Sequence, residues 1–310
     1  MNLALLRRGL VWLRPVLFFL ATLAGAVTVV VVLVSTSPGT AFDALPSVPE
    51  ALKQELTARY GLDQAWYVQA ARRLWALCHL EFDVSLSYRS GGRVTGLLWP
   101  AFQSTLVTVA LALTLSFGLA AGAVAIARRG ARRAGLVSLG LTFASGMPAF
   151  VAAVIVQALL AAHLDLVPDV RHVLAAACVL AVADGQLLDL YRQLGAEWAE
   201  ARATDHVVAA RANGLGARRE LVRTLFAPVA QLVTTRFTLL LGAVLVVEIP
   251  FGLYGIGEVL YQAASRRDTH LVVGCLVFLS ALVCGAGLLR DFARLAVDPR
   301  LRRAGAPRLE

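Results

Sequence analysis

Carboxylate and imidazole side chains within apolar stretches are the residues of this sequence that could carry chemistry. Asp184 and Asp189 fall in an apolar run that starts near His172, while His163 and His270 lie near the ends of other runs. A carboxylate beside a histidine is typical of general acid–base catalysis, so one hypothesis is an intramembrane enzyme. The aspartates share no partner motif, and no matching nucleophile accompanies the histidines. A hydrogen-bonded histidine at the end of a span explains them with fewer assumptions.

Sequence motifs for nucleotide, nucleophile and metal chemistry are missing. The sequence has no GxxxxGK[ST] loop, no Gly-x-Ser-x-Gly and no His-Glu-x-x-His, and Lys53 is its only lysine. Its four cysteines form no CxxC pair, which indicates packing rather than metal binding. They are Cys78, Cys178, Cys275 and Cys284. We therefore predict no catalytic residue, no metal ligand and no cofactor in this chain.

Composition points to a membrane protein. Of the 310 residues, 58% are hydrophobic and only 16% are charged, whereas soluble domains average about 25% charged residues. The mean hydropathy is +0.71. The net charge of +9 comes mainly from arginines that flank apolar runs. Arginines in that position set membrane topology, so we predict a lipid bilayer as the environment and no nucleic-acid partner.

A polar island at residues 197–228 separates two long apolar segments. Within it Val207, Ala210, Arg211 and Gly214 follow the i, i+3, i+4, i+7 spacing of one helix face. Alanine and glycine make this face smooth, which suits docking into a groove of another protein. Gly214 can end such a helix in the left-handed conformation. The alternative is an ordinary solvated loop helix.

Motifs in a fixed order along the chain resemble the permease subunits of binding-protein-dependent ABC importers, dipeptide/oligopeptide/nickel class. The residues that match its cytoplasmic EAA loop are Asp205, Val207, Ala210-Arg211-Ala212, Gly214-Leu215 and Pro228. Further matches are Pro38-Gly39, Gly61-Leu62-Asp63-Gln64, Glu248-Ile249-Pro250-Phe251, Gly255-Ile256-Gly257, Arg267-Asp268 and Asp298-Pro299-Arg300-Leu301-Arg302. The chain differs from the family at three positions. It has His206 where the family has Tyr, Asn213 where the family has Lys and Tyr254 where the family has Pro. Its EAA loop is about one helical turn shorter than the loop that is usual in the family. Glu220, Arg223 and Thr224 stand where the family has a longer motif.

The resemblance implies partners for this chain. These are two ATPase subunits that bind ATP and Mg, a second permease subunit and an extracytoplasmic solute-binding protein. It also implies an ATPase-coupling helix carried by Asp205, Val207, Ala210, Arg211, Gly214 and Leu215. A gate or a binding-protein contact would involve Glu248, Phe251, Gly255 and Gly257. Glu248 has a plainer alternative, an interfacial carboxylate that caps nearby backbone amides.

The predicted fold is an all-α polytopic membrane protein with six spans. They are residues 15–34, 102–127, 135–162, 172–190, 229–247 and 271–296, the third kinked at Gly146-Met147-Pro148. Arginine counts in the short loops place both termini and the island in the cytoplasm. The predicted divisions are 1–34 (terminus and first helix), 35–99 (extracytoplasmic), 100–297 (permease core) and 298–310 (cytoplasmic tail). We expect a bacterial inner-membrane location.

Asp184 lies about 12 residues inside the predicted fourth span. A charge facing lipid there costs at least ~2.5–3.5 kcal/mol, so we expect Asp184 to face the bundle interior or a water-filled cavity. It then makes a structural hydrogen bond to a neighbouring helix or lines the translocation pathway. Besides the importer permease, two readings stay open: a self-contained channel or secondary transporter, and the intramembrane enzyme.

The topology predicts that cysteines introduced at Gly92 and at Arg129 are labelled from opposite sides of the membrane. The Arg-rich loop at 128–133 is short enough to obey the positive-inside rule, whereas Gly92 belongs to the long segment after the first span. Labelling of both positions by an impermeant thiol reagent from the same side contradicts the topology.

Overall fold

The chain is helical throughout the part that the structure describes. This computed structural model describes residues 3–36, 94–163, 170–213, 217–266 and 268–297, with a few positions between 49 and 75. Ten helices of eight or more residues occur within these ranges. They are α1 (Leu3–Thr36), α2 (Val94–Ala127), α3 (Ala131–Ser145), α4 (Ala149–His163), α5 (Val170–Val182), α6 (Gln186–Ala203), α7 (Asp205–Ala212), α8 (Ala217–Phe251), α9 (Ile256–Ser265) and α10 (Thr269–Val297).

Four of these helices are long and apolar enough to cross a membrane singly: α1, α2, α8 and α10. Two bent helix pairs give two further spans if each pair is counted as one span. Helices α3 and α4 meet at 80°, and α5 and α6 meet at 58°. The chain is therefore a multi-pass membrane protein with four to six candidate spans. The predicted segment 35–99 and the tail 298–310 lie almost wholly outside the described residues.

The chain divides into two compact units. The larger contains residues 106–253 with the two chain ends, and the smaller contains residues 17–105 and 254–285. In the larger unit α8 is the central helix and packs against α4, α5, α6 and α7. A cluster around Ala120, Leu187 and Leu190 joins α2 to α6. Apolar side chains on several faces make α8 suitable for this central position.

The two bends are held together by backbone hydrogen bonds. Asp184 donates its N–H to Met147 O at 3.1 Å, and Gly185 donates to Ser145 O at 2.7 Å. A helix break leaves amides and carbonyls without intrahelical partners, and in lipid each unpaired group costs several kcal/mol. Each break therefore supplies the partners that the other lacks. Left-handed backbone at Asp184 (φ 59°) and Gly185 (φ 73°) makes this approach possible.

These bends confirm one expectation about helix geometry and correct another. The kink at Gly146-Met147-Pro148 is present, as the Gly-Met-Pro sequence predicts. A continuous fourth span over residues 172–190 is wrong, because the helix breaks at 183–185 and resumes as far as Ala203. The depth of Asp184 estimated for a straight helix therefore does not apply. The predicted fifth span, residues 229–247, lies within α8, which begins at Ala217 and continues through Pro228.

The smaller unit brings α1, α2 and α10 together. Val31 of α1 packs on Val273 of α10, and the rings of Phe102 and Phe278 meet edge to face at 5.8 Å. The start of α9 is held by α2, because Ile256 donates its N–H to Thr105 Oγ1 at 2.8 Å in a buried position. This hydroxyl satisfies one of the first amides of α9, because the N-cap residue Gly255 has no side chain to do so.

We predict that Thr105→Val destabilises the protein by about 1–3 kcal/mol, because it leaves the buried Ile256 amide without its acceptor. Thr105→Ser keeps the hydroxyl and is the matched control. The measurement is the thermal unfolding midpoint of the purified protein in detergent. Equal midpoints for the valine and serine variants would contradict the role of this hydrogen bond.

Candidate functional site

The short helix α7 is fixed between the ends of two long helices. Val207, with no exposed surface, packs in a cluster with Ala201 of α6 and Leu221 of α8. Trp198 and Leu225 cover the edge of this cluster. Thr204 joins α6 to α7, and its carbonyl accepts the N–H groups of Val207 and Val208 at 3.0 Å each. The extended backbone of Thr204 therefore changes the direction of the chain, and its carbonyl accepts the first amides of the new helix.

A side-chain hydrogen bond connects α7 to α8 a second time. His206 Nε2 lies 2.8 Å from Thr224 Oγ1, and the Thr224 hydroxyl donates to Glu220 O at 2.8 Å. Because that hydroxyl proton is engaged, the imidazole N–H is the donor to Thr224. His206 and Thr224 are two of the positions at which this sequence departs from the pattern it resembles. The two departures contact each other.

The burial of α7 revises the face expected to dock a partner. Val207 belongs to the predicted smooth face but points into the chain, since a cluster of aliphatic neighbours is available there. A fully buried side chain cannot also line a partner's groove. The outward face instead carries Asp205, His206, Val208 and Ala209, all exposed. Val208 is 51% exposed.

The structure describes only some of the other residues in the predicted coupling set. Ala210 is half-buried, and Arg211 lies in the last turn of α7. Gly214 and Leu215 lie outside the described residues, so the helix-ending role of Gly214 stays a prediction. Asp205 occupies the first turn of α7, where a carboxylate interacts favourably with the helix dipole.

Glu248 and Phe251 lie in the last turns of α8 and are both buried, Glu248 completely. The Glu248 carbonyl accepts the Leu253 N–H at 3.1 Å. This bond ends the helix, and Gly252 between the two residues has the left-handed conformation, with φ 59°. In the smaller unit, Gly255 and Gly257 flank the start of α9 and are buried as well. None of these four residues forms an exposed contact surface in this conformation.

Asp184 uses its carboxylate within the chain. Its Oδ1 accepts the N–H of Ala149 at 2.7 Å, which is the first residue of α4 after the break. The carboxylate therefore caps a helix N-terminus, where the partial positive charge of the helix favours an anion. The residue is also exposed on the surface of the chain. Structural capping is what this geometry provides for Asp184.

Arg236 is a candidate functional residue that sequence reasoning missed. It lies within α8 and is only 4% exposed, and its charge interacts with that of Asp189 on α6. A buried arginine in a membrane-spanning helix is costly unless it is compensated, and is a functional-site candidate by default. A lone arginine in the apolar run after Pro228 was the signal available in the sequence. Among the described residues, no group of three or more His, Cys, Asp or Glu could hold a metal ion.

Comparison with known proteins agrees with this architecture. Residues 114–303 match the family of binding-protein-dependent transport system inner membrane components. The chain is 30% identical over 279 residues to a putative peptide transport system permease protein of Brucella abortus, covering 84% of this chain and 86% of the relative. It is 24% identical to the oligopeptide transport system permease protein AppB of Bacillus subtilis, covering 93% and 98%. It is 26% identical to the dipeptide transport system permease protein DppB of that organism, covering 91% and 94%.

We predict that Asp184→Asn retains stability and that Asp184→Ala loses about 1–2 kcal/mol. Asparagine keeps an oxygen for the Ala149 amide and tolerates the left-handed backbone, whereas alanine loses the cap and is strained at φ 59°. Asp184→Gly relieves the strain without restoring the cap, and so separates the two effects. Thermal unfolding in detergent measures all three. A loss as large for Asn as for Ala would show that the charge, rather than the cap, is what the site requires.

Proposed function

This chain belongs to the family of binding-protein-dependent transport system inner membrane components, and on that premise we propose that it forms half of the translocation pathway of an ABC importer. The partners in this proposal are a second permease subunit (identical or related), two ATPase subunits and an extracytoplasmic solute-binding protein. ATP and Mg bind on the ATPase subunits. The observation that carries the proposal is the placement of α7, whose inner face is fixed to the chain and whose outer face is exposed.

Helix α8 provides a mechanical connection from α7 towards the membrane. It is an unbroken helix of 35 residues, about 50 Å long at 1.5 Å per residue. Its first turns hold α7 through Leu221 and Thr224, and its last turns carry Glu248 and Phe251. A displacement of α7 by a closing ATPase would therefore move α8 as a rigid body. Because α8 packs on α4, α5 and α6, the movement would reach the bent pairs too.

We assign Glu248 and Phe251 to the gate rather than to a binding-protein contact. Both are buried at the end of α8, so neither is available to an external protein in this conformation. A buried carboxylate and a large ring at the end of a moving helix can close a pathway in one position and open it in another. A gate role for Gly255 and Gly257 stays a prediction from the sequence motif alone.

The proposed topology has six spans, counting each bent pair as one, with both termini and α7 in the cytoplasm of a bacterium and the chain in its inner membrane. The arginine-rich loops support this orientation. The proposed solutes are peptides or similar small molecules, because the similar proteins of Brucella abortus and Bacillus subtilis carry peptide, oligopeptide and dipeptide transport in their names. The enzyme hypothesis loses support, since the Asp184 carboxylate is engaged by a backbone amide.

Val208→Asp should abolish co-purification of the ATPase subunits while the chain itself accumulates normally in membranes. The substitution puts a charge on the outer face of α7 where the partner's groove would exclude water, and leaves the inner cluster intact. Val207→Asp, one residue away, should instead destabilise the chain, because it buries an unpaired carboxylate in that cluster. The measurements are membrane accumulation of the tagged chain and the amount of ATPase recovered with it.

Val208→Thr keeps the size of the side chain and serves as the control for the surface position. Peptide uptake by cells with each variant gives an independent readout. Full ATPase recovery and uptake with Val208→Asp would show that the outer face of α7 is not the coupling surface. Peptide uptake by this chain in vesicles without any ATPase would overturn the importer proposal itself.

A further inference from the structure

An open cavity on one face of α6 has no role in the transport proposal. Its volume is about 630 Å³, within the ~300–1,000 Å³ range of small-molecule sites. The last turn of α2 forms one wall and α6 the other. All of its lining residues belong to the larger unit.

The charges around this cavity are of one sign. Arg128, Arg192 and Arg202 line it, and no carboxylate of the described residues does. Glu197 and Glu200 lie on the same helix but are not among the lining residues. Three arginines around one space favour an anionic ligand. The planar guanidinium presents paired N–H donors that match the oxygens of a phosphate.

Aromatic rings organise the cavity wall. Arg128 lies over the ring of Trp198, with 4.7 Å from its guanidinium carbon to the ring centroid. A cation above an indole face is held in place electrostatically, so this arginine is positioned before any ligand arrives. Tyr191 is a second aromatic residue in the wall, and aliphatic groups of Val124 and Ala127 complete it.

The cavity adjoins the end of a candidate membrane span, and lipid headgroups are expected at the ends of spans. Its α2 wall is the end of the candidate span Gly96–Ala127, and the arginine-rich segment of residues 128–133 follows at once. Trp and Tyr with apolar bodies and polar edges are enriched at this depth. Basic pockets between helices on the cytoplasmic side are the kind of site that binds anionic lipid headgroups.

We propose that this cavity binds the headgroup of an anionic phospholipid. The guanidinium groups of Arg128, Arg192 and Arg202 hold the phosphate, and the apolar wall with Trp198 and Tyr191 contacts the glycerol and the first carbons of the acyl chains. Trp198 also covers the cluster that holds Val207. A bound lipid therefore stabilises the base on which α7 lies, whatever protein α7 contacts.

The test uses the full-length chain purified in an uncharged detergent. Phosphatidylglycerol should raise its thermal unfolding midpoint and be retained in native mass spectra, whereas phosphatidylcholine, with a zwitterionic headgroup, should do neither. The variant Arg128→Gln/Arg192→Gln/Arg202→Gln should retain phosphatidylglycerol at least about tenfold less, because each lost charged hydrogen bond is worth about a factor of ten or more. The matched control, the loop variant, is Arg129→Gln/Arg132→Gln/Arg133→Gln, which removes the same charge from the adjoining loop and the first turn of α3 but none from the cavity wall.

A second variant covers the case in which the triple substitution fails to fold. Arg192→Gln/Arg202→Gln keeps the contact between Arg128 and Trp198, and it should also lose most of the phosphatidylglycerol effect. Equal losses in the cavity and loop variants would overturn the proposal, because they would indicate diffuse surface attraction. Glycerol 3-phosphate that reproduces the whole stabilisation would overturn it in favour of a free phosphate site. An absence of any lipid-specific shift in the unmodified chain would overturn it as well.

Discussion

The mutual satisfaction of two helix breaks is the interaction on which the larger unit depends. Ser145 and Met147 offer carbonyls that α3 cannot use after it stops, and Asp184 and Gly185 offer amides that α5 has left unpaired. In water either break could bind solvent. In a bilayer it cannot, and non-helical backbone is tolerated only where protein or a polar cavity supplies the partners. The side chain of Asp184 completes the arrangement by capping α4.

This constraint also explains why an ionisable residue stands at such a position. An aspartate supplies both requirements of the junction: a short oxygen acceptor for a helix N-terminus and tolerance of the left-handed conformation. A glycine follows it for the same conformational reason, with φ 73°. Asp184 then resembles a catalytic group only when its neighbours in space are unknown. Asp189, five residues further, has a different environment, because its charge interacts with that of the buried Arg236.

Helix α7 shows how a short helix gains a fixed position. An isolated helix of eight residues is unstable in water, so α7 depends on Val207 and on the His206–Thr224 hydrogen bond for its position. Both attachments end on α8, and one of them also reaches α6. The sequence departs from the pattern it resembles at His206 and at Thr224, and the structure joins these two positions by a hydrogen bond.

The sequence by itself determined the class of this protein, because the length and apolarity of segments are local properties. Runs such as 229–247 and 271–296 identify membrane helices from hydropathy alone, and Gly146-Met147-Pro148 predicts its kink because glycine and proline act on their own backbone. The ordered motifs likewise identified the family.

The outward face of α7, the partner of Asp184 and the burial of Arg236 were decided only by the tertiary structure. Each depends on residues 18 to 47 positions away in the chain or on other helices, as in the contacts of His206 with Thr224 and of Asp184 with Ala149 and in the charge interaction of Arg236 with Asp189. Helical periodicity can group Val207 with Ala210 on one face, but it cannot say whether that face meets the chain's own α6 and α8 or another protein. The helices packed around α7 decide that choice, because burial of an aliphatic side chain is favourable wherever aliphatic neighbours are found.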